Sequence, residues 1–167
     1  DDVANHLRIA RYDMISITKQ ICDLFVDWIA MNNVEFHINT QTSVLWVWID
    51  RRKMEFALRV LLSNALKNTY RFGKISINIS VVRSNGKAYC SFSIQDDGLG
   101  ESESTRLGLK QIVDMTESSG AIFEGISSED ETGTQYTILI PLGRSHYMER
   151  AVEFIEPDGD LVKLNEM

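Results

Sequence analysis

From Met14 to Asn32 the apolar residues Ile17, Ile21, Leu24, Phe25, Trp28 and Ile29 recur at helical spacing, which predicts one amphipathic helix stopping at Asn32-Asn33. Ahead of it, Leu7, Ile9 and Tyr12 suggest a short edge strand. Val34, Phe36 and Ile38 then alternate with polar residues, as do Leu45, Val47 and Ile49, predicting two strands joined by the polar turn Thr40–Ser43. Asp50 stands where its carboxylate can accept the free N–H groups of a helix start. The helix from Arg51 to about Tyr70 carries Met54, Ala57, Leu58, Leu61, Leu62 and Ala65 on its core face. Val60, Asn64, Lys67 and Asn68 form an adjacent stripe, because residues four and seven apart share a helix face.

Gly73 ends that helix, and Ile75, Ile77, Ile79 and Val81 alternate into the turn Ser84-Asn85-Gly86-Lys87. Residues Tyr89–Ile94 return as the second arm of a hairpin, Asn-Gly being a strong turn signal. A polar loop from Asp97 to Arg106 precedes a second core helix, Leu107 to Ser118, with Gly120 as its stop. Ala121–Ile126 and Tyr136–Leu142 read as a final strand pair joined by the acidic turn Ser127–Gly133. Residues 143–167 are charged, with short apolar clusters only, and read as an acidic linker or docking tail. Residues 1–12 read as a lead-in segment and 13–142 as the domain proper. Strands arriving mainly as adjacent pairs between helices predict an α+β fold, a two-layer α/β sandwich with helices on one face of a mixed sheet.

Composition narrows the function. With 167 residues and 44 % apolar content the chain can bury one continuous core. A formal charge of −7 argues against nucleic acid, whose binding rests on clustered Lys and Arg. Cys22 and Cys90 have no metal spacing and lie in apolar patterns, so they read as reduced core thiols. The longest uncharged run, Phe36 to Ile49, is broken by polar residues and falls short of the ~20 apolar residues that span a bilayer.

Three stretches can carry chemistry. Asp96 closes a buried strand and opens Asp-x-Gly-x-Gly with Gly98 and Gly100. Its carboxylate can accept a hydrogen bond from an exocyclic amino group, and glycines let backbone approach a flat ring. Alone, the triplet is equally a polar turn. Asn64 offers a carboxamide oxygen of the kind Mg²⁺ accepts, and Lys67 a point charge for phosphate; both are equally a solvated helix stripe. Leu107, Gly108 and Leu109 sit at the predicted start of a helix, where N–H groups favour anions.

In combination these stretches resemble the ATP-binding domain of sensor histidine kinases, in the ATPase superfamily that includes Hsp90, gyrase and MutL. The N box of that family matches from Leu61 through Asn64-Ala65, Lys67 and Thr69. Its first glycine box matches at Asp96, Gly98 and Gly100, and its second at Leu107-Gly108-Leu109. The closing Gly-Thr pattern matches at Gly133-Thr134 through Pro141. The resemblance covers roughly residues 13 to 142. It implies the Bergerat-type sandwich and ATP with Mg²⁺ as cofactors. Asp96 would then read adenine with support from Thr134, Asn64 would sit on Mg²⁺, and Lys67 near the phosphates.

The departures are specific. Val60 stands where the N box has a second polar residue, Asn68 where an aromatic often follows the lysine, and Ser104 and Arg106 where glycines are expected. The lid between the glycine boxes shrinks to about Glu101–Glu103. None of His6, His37 and His146 lies in the sequence context of a phosphoacceptor. The resemblance therefore implies a catalytic piece of a larger sensor. Its partners would be a helical dimerisation domain bearing the acceptor histidine and a receiver domain, the tail resembling the joint of hybrid sensors. It implies a cytoplasmic location within a membrane-anchored protein, no membrane contact by this piece, and a monomer in isolation. The competing reading is a degenerate domain that keeps the sandwich as a signalling scaffold and binds nucleotide weakly or not at all.

Overall fold

A computed structural model of the chain describes residues 7–98, 103–118, 121–127, 133–147 and 152–155. Strands β2 (Glu35–Thr40), β4 (Lys74–Ser84), β5 (Lys87–Asp96), β6 (Ile122–Ser127) and β7 (Thr134–Pro141) form a five-stranded sheet in the order β2-β4-β5-β7-β6. Strands β1 (Leu7–Asp13), β3 (Trp46–Asp50) and β8 (Val152–Phe154) form a second sheet in the order β3-β1-β8. The helices are α1 (Met14–Asp23), α2 (Val26–Met31), α3 (Arg51–Asn68) and α4 (Glu103–Ser118).

The large sheet is mixed, since β2 pairs parallel with β4 while the other neighbours are antiparallel. Asn85 and Gly86 turn β4 into β5 with φ of 52° and 77°, the left-handed pair that matches the twist of a hairpin. Period-two alternation then puts Ile75, Ile77 and Ile79, Cys90, Phe92 and Ile94, and Tyr136, Ile138 and Ile140 on one buried face. Ile17 and Ile21 of α1, Leu58, Leu61 and Leu62 of α3, and Ile112 of α4 complete that core. This is the expected α+β sandwich. Asp50 caps α3 as expected, accepting from the Lys53 amide at 3.3 Å, and also takes the Arg8 amide at 3.0 Å. Cys22 and Cys90 are buried free thiols, and burial pushes each up to about 12.

Four expectations are corrected. The helix predicted over 14–32 breaks at Leu24-Phe25; past Cys22 only Phe25 and Ile29 of that stretch still pack on the core, and both only in part. Beyond that point Leu24 and Val26 turn to solvent, and α2 buries no side chain. The strands on either side of Thr40–Ser43 are not a pair, since β2 joins β4 and β3 joins β1. The link is drawn away by the start of α1: Asp13 Oδ1 accepts from the Leu45 amide at 2.9 Å, and Met14 N–H donates to Leu45 at 2.8 Å. β1 is central in its sheet and not an edge, because β8 adds to its far side. Finally, residues 145–147 and 152–155 are not outside the core. Tyr147, in a single 3₁₀ turn (Ser145–Tyr147), is buried with Leu7 and Ile9 and donates its hydroxyl to the Trp48 carbonyl at 2.8 Å. One aromatic with one polar tip does this packing, so no apolar periodicity announced it. Gly120 and residues 156–167 lie outside the described residues.

Candidate functional site

Asp96 continues the series Phe92, Ile94, Asp96, so the last inward position of β5 is a carboxylate among apolar residues. It is 3 % exposed. Burial pushes its carboxyl up to about 6. The Gly98 amide, donating at 3.0 Å, opposes the rise, the adjacent Asp97 adds to it, and the Thr134 backbone N–H opposes it in turn. Thr134 faces Asp96 directly in the β5–β7 register.

Two glycines make this corner possible. A Cβ on Gly98 would collide with the Asn68 backbone carbonyl, and one on Gly133 with the Asp96 carbonyl. Gly133 also has φ of 83°, a region closed to most side chains, and its N–H donates to the Gly98 carbonyl at 2.7 Å. The segment after β5 is thus pinned between the end of α3 and the start of β7.

On α3, Asn64 and Asn68 are one turn apart and both buried, each 6 % exposed. Each carboxamide nitrogen is fully covered and has no hydrogen-bond partner, and the same holds for the Thr134 hydroxyl. Unpaired buried polar atoms are rare and costly, roughly 1–3 kcal/mol each, so three on the elements that meet here mark the region as a candidate for polar binding. Gly108 of α4 closes the other side. A Cβ there would lie 3.4 Å from Val60 Cγ1 and 4.0 Å from Asn64 Nδ2.

The structure therefore brings Asn64, Asp96, Gly98, Gly108 and Thr134 into one region. Lys67 is exposed on the neighbouring stripe, and Leu109 is core. Gly100 lies outside the described residues, as does the side chain of Leu107. One expectation fails: α4 starts at Glu103, so Leu107, Gly108 and Leu109 fall in its second turn, with their amides committed to the helix. The helix runs through Ser104 and Arg106, neither of which is a glycine that would disfavour it. Sequence reasoning also gave Asn68 no role, although its i+4 spacing from Asn64 was the available signal.

The residues fit a nucleotide base and sugar-phosphate, with one acceptor, two carboxamide donors and a hydroxyl. They fit a resident metal ion poorly. Val60, one turn before Asn64, presents only methyls and no ligand atom. Among the described residues no three His, Cys, Asp or Glu side chains are grouped to hold a metal. A cavity of about 170 Å³ lined by Lys74, Ser76, Gln95, Asp96 and Asp97 adjoins the corner. It is smaller than ligand pockets of ~300–1,000 Å³ and excludes Asn64 and Asn68, so the unpaired atoms locate the site better.

No family model matches the chain. Histidine kinase P4 of Formosa agariphila is 22 % identical over 172 aligned residues, which span 88 % of this chain and only 12 % of that protein. Among solved structures, the nucleotide-free catalytic domain of histidine kinase ThkA aligns with a TM-score of 0.71 at 21 % identity, covering 81 % of this chain and 98 % of that one. ThkA in complex with the response regulator TrrA gives 0.65 at 20 % identity, covering 81 % and 42 %. Full-length ShkA in complex with AMPPNP gives 0.63 at 17 % identity, covering 81 % and 31 %.

Proposed function

We propose that this chain, which has the fold of histidine kinase catalytic domains, is the ATP-binding domain of a two-component sensor kinase. The observation that carries the reading is the corner where Asp96 meets three buried polar atoms without partners. Asp96, once ionised, accepts from the exocyclic amino group of adenine, and the Gly98 amide fixes the carboxylate in place. The Thr134 hydroxyl, buried opposite, supplies a second polar contact to the base. Asn64 and Asn68 donate toward sugar and phosphate oxygens, and exposed Lys67 adds a mobile positive charge. Bound ATP supplies the γ-phosphoryl group; what the chain contributes is orientation and exclusion of water from the base.

The acceptor in this reading is a histidine on a separate helical dimerisation domain, with a receiver domain downstream. ShkA with AMPPNP and ThkA with TrrA support a nucleotide and a response regulator as the classes of partner. His37 lies in the strand β2, whereas the acceptor in this reading is carried by a helix. Among the described residues no helix is long and apolar enough to cross a membrane. Of the Mg²⁺ implied by the family resemblance, the chain offers Asn64 as one candidate ligand and no second on the α3 stripe at position 60.

Base recognition is the test. Calorimetric titration with ATP and with inosine triphosphate, which lacks the exocyclic amino group, is expected to show micromolar binding of ATP and at least tenfold weaker binding of the inosine analogue. Asp96→Asn is expected to abolish the difference. Equal affinity for both in the wild-type protein would overturn the Asp96 contact to the base, and no binding of either at millimolar nucleotide would overturn the reading and favour the scaffold that Val60 suggests.

A further inference from the structure

We propose that the outer face of the small sheet is a docking surface for an extended acidic segment of a partner protein, whose carboxylates are taken bidentately by Arg11 and Arg144. The surface goes beyond the nucleotide reading and does not depend on it. β3 leads into α3 through Asp50, whereas the Asp96 corner lies at the far end of that helix, about 27 Å along its axis.

Trp46 and Trp48, two of the three tryptophans of the chain, stand two residues apart on β3 and so share one face of the sheet. Arg11 faces Trp48 in the β1–β3 register and lays its guanidinium over the Trp46 ring, 4.5 Å from the centroid. Arg144 lies over both Trp48 and Phe154 of β8, 4.9 and 5.2 Å from their centroids, and those two rings meet edge to face at 6.1 Å. Trp48 also packs on the buried cluster of Leu7, Ile9 and Tyr147, which anchors the platform. Trp46 and Phe154 remain 43 % and 39 % exposed.

Charge selects the partner. The small sheet holds three carboxylates, and all are engaged elsewhere. Asp13 accepts from the Ile15 and Leu45 amides, Asp50 from the Arg8 and Lys53 amides, and Glu153 lies beside Arg8. Among the described residues, neither Arg11 nor Arg144 forms a salt bridge. In a chain of net charge −7, two uncompensated cations on one aromatic platform are a local reversal of sign. Stacking restricts each guanidinium plane and leaves its in-plane N–H donors available, the geometry that takes a carboxylate with two bonds. Same-face residues of an extended chain recur about every 7 Å, as Trp46 and Trp48 do, so acids at alternate positions suit arginines stacked on those rings. A neutral apolar partner would cover both charges and leave them unpaired.

Calorimetric titration of the full chain with an octapeptide of alternating Glu and Thr, and with its counterpart of alternating Gln and Thr, tests the assignment. Wild type is expected to bind the Glu peptide with submillimolar affinity that falls as salt is raised, and the Gln peptide at least about tenfold more weakly. Arg11→Gln and Arg144→Gln should each weaken the Glu peptide about tenfold. Arg11→Lys and Arg144→Lys should restore little of that loss, because an ammonium keeps the charge but neither the planar stack nor the two-bond fork. All four variants should melt within about 2 °C of wild type, so loss of the peptide reports docking and not unfolding. Equal binding of the two peptides, full binding by either Lys variant, or no binding by wild type at millimolar peptide overturns the inference. Binding that emerges only in the triple variant Glu156→Gln/Asp158→Asn/Asp160→Asn also overturns it and assigns the face to the chain's own acidic stretch. Association with phosphatidylserine vesicles in place of the peptide, lost in Arg144→Gln, would assign it to a membrane surface. A dimer in sedimentation that Arg144→Gln dissolves would assign it to a second copy of the chain.

Discussion

A single carboxylate sets the behaviour of the corner. Burial raises the Asp96 carboxyl from 3.8 to about 6, so the folded protein holds that proton more tightly than the unfolded chain does. The sign follows from linkage. Asp96 favours folding fully below about pH 4, and that contribution is lost as pH rises through about 6. In the nucleotide-free protein, Asp96→Asn is therefore expected to be more stable than wild type at pH 7.5 by up to about 3 kcal/mol, the difference vanishing near pH 4. Urea unfolding at the two pH values checks this, and an Asn variant less stable at pH 7.5 would contradict it. Nucleotide affinity should run the opposite way. It needs the ionised carboxylate, so it should rise as pH is raised from 5 to 7 and then level off. A residue that lowers apo stability while creating a binding contact is one whose chemistry is being kept for function.

At the scale of elements, the site exists because three connections cross at one point: the end of α3, the exit of β5 and the entry to β7. Gly98 and Gly133 are the joints. Gly98→Ala would drive a methyl into the Asn68 carbonyl, and a loss above about 3 kcal/mol is expected. Gly86→Ala, at φ of 77° with open space around it, should lose only about 1–2 kcal/mol. Denaturant midpoints of the two variants compare them directly, and similar values would mean that the corner tolerates separation. Most of these elements were legible. The isoleucine alternation of β4, the Asn85-Gly86 turn and the Asp50 cap each state a local rule that the fold obeys. What was not legible depends on long-range pairing. Nothing in Val34–Ile49 tells β2 to pair parallel with β4 and β3 to pair with β1. Nor does the spacing of Leu107-Gly108-Leu109 reveal that, with Ser104 and Arg106 ahead of it, the helix begins a turn sooner.

At the scale of the molecule, two cores share one strand. β1 turns Ala10 and Tyr12 toward the main core and Leu7 and Ile9 toward Tyr147, with β8 completing its far edge. Tyr147→Phe removes the bond to the Trp48 carbonyl and is expected to lower stability by about 1 kcal/mol, while Tyr147→Ala should lose about 3–5. Thermal melts separate the two, and an unaffected Tyr147→Ala would show that the C-terminal segment is an appendage after all. The candidate site was legible in its parts, Asn64, Asp96, Gly98 and Thr134, since each belongs to a spaced motif. The partnership of Asn64 with Asn68 was legible only as an i+4 spacing on one helix stripe; that both are buried without a hydrogen-bond partner is a property of the folded chain. The central claim, that these unpaired atoms form one nucleotide site, is tested most directly by amide NMR shifts on titration with ADP. Shifts concentrated at Asn64, Asn68, Asp96, Gly98, Gly108 and Thr134 are expected. Saturating ADP that shifts none of them, or shifts centred on Lys74, Ser76 and Gln95 instead, would contradict the account.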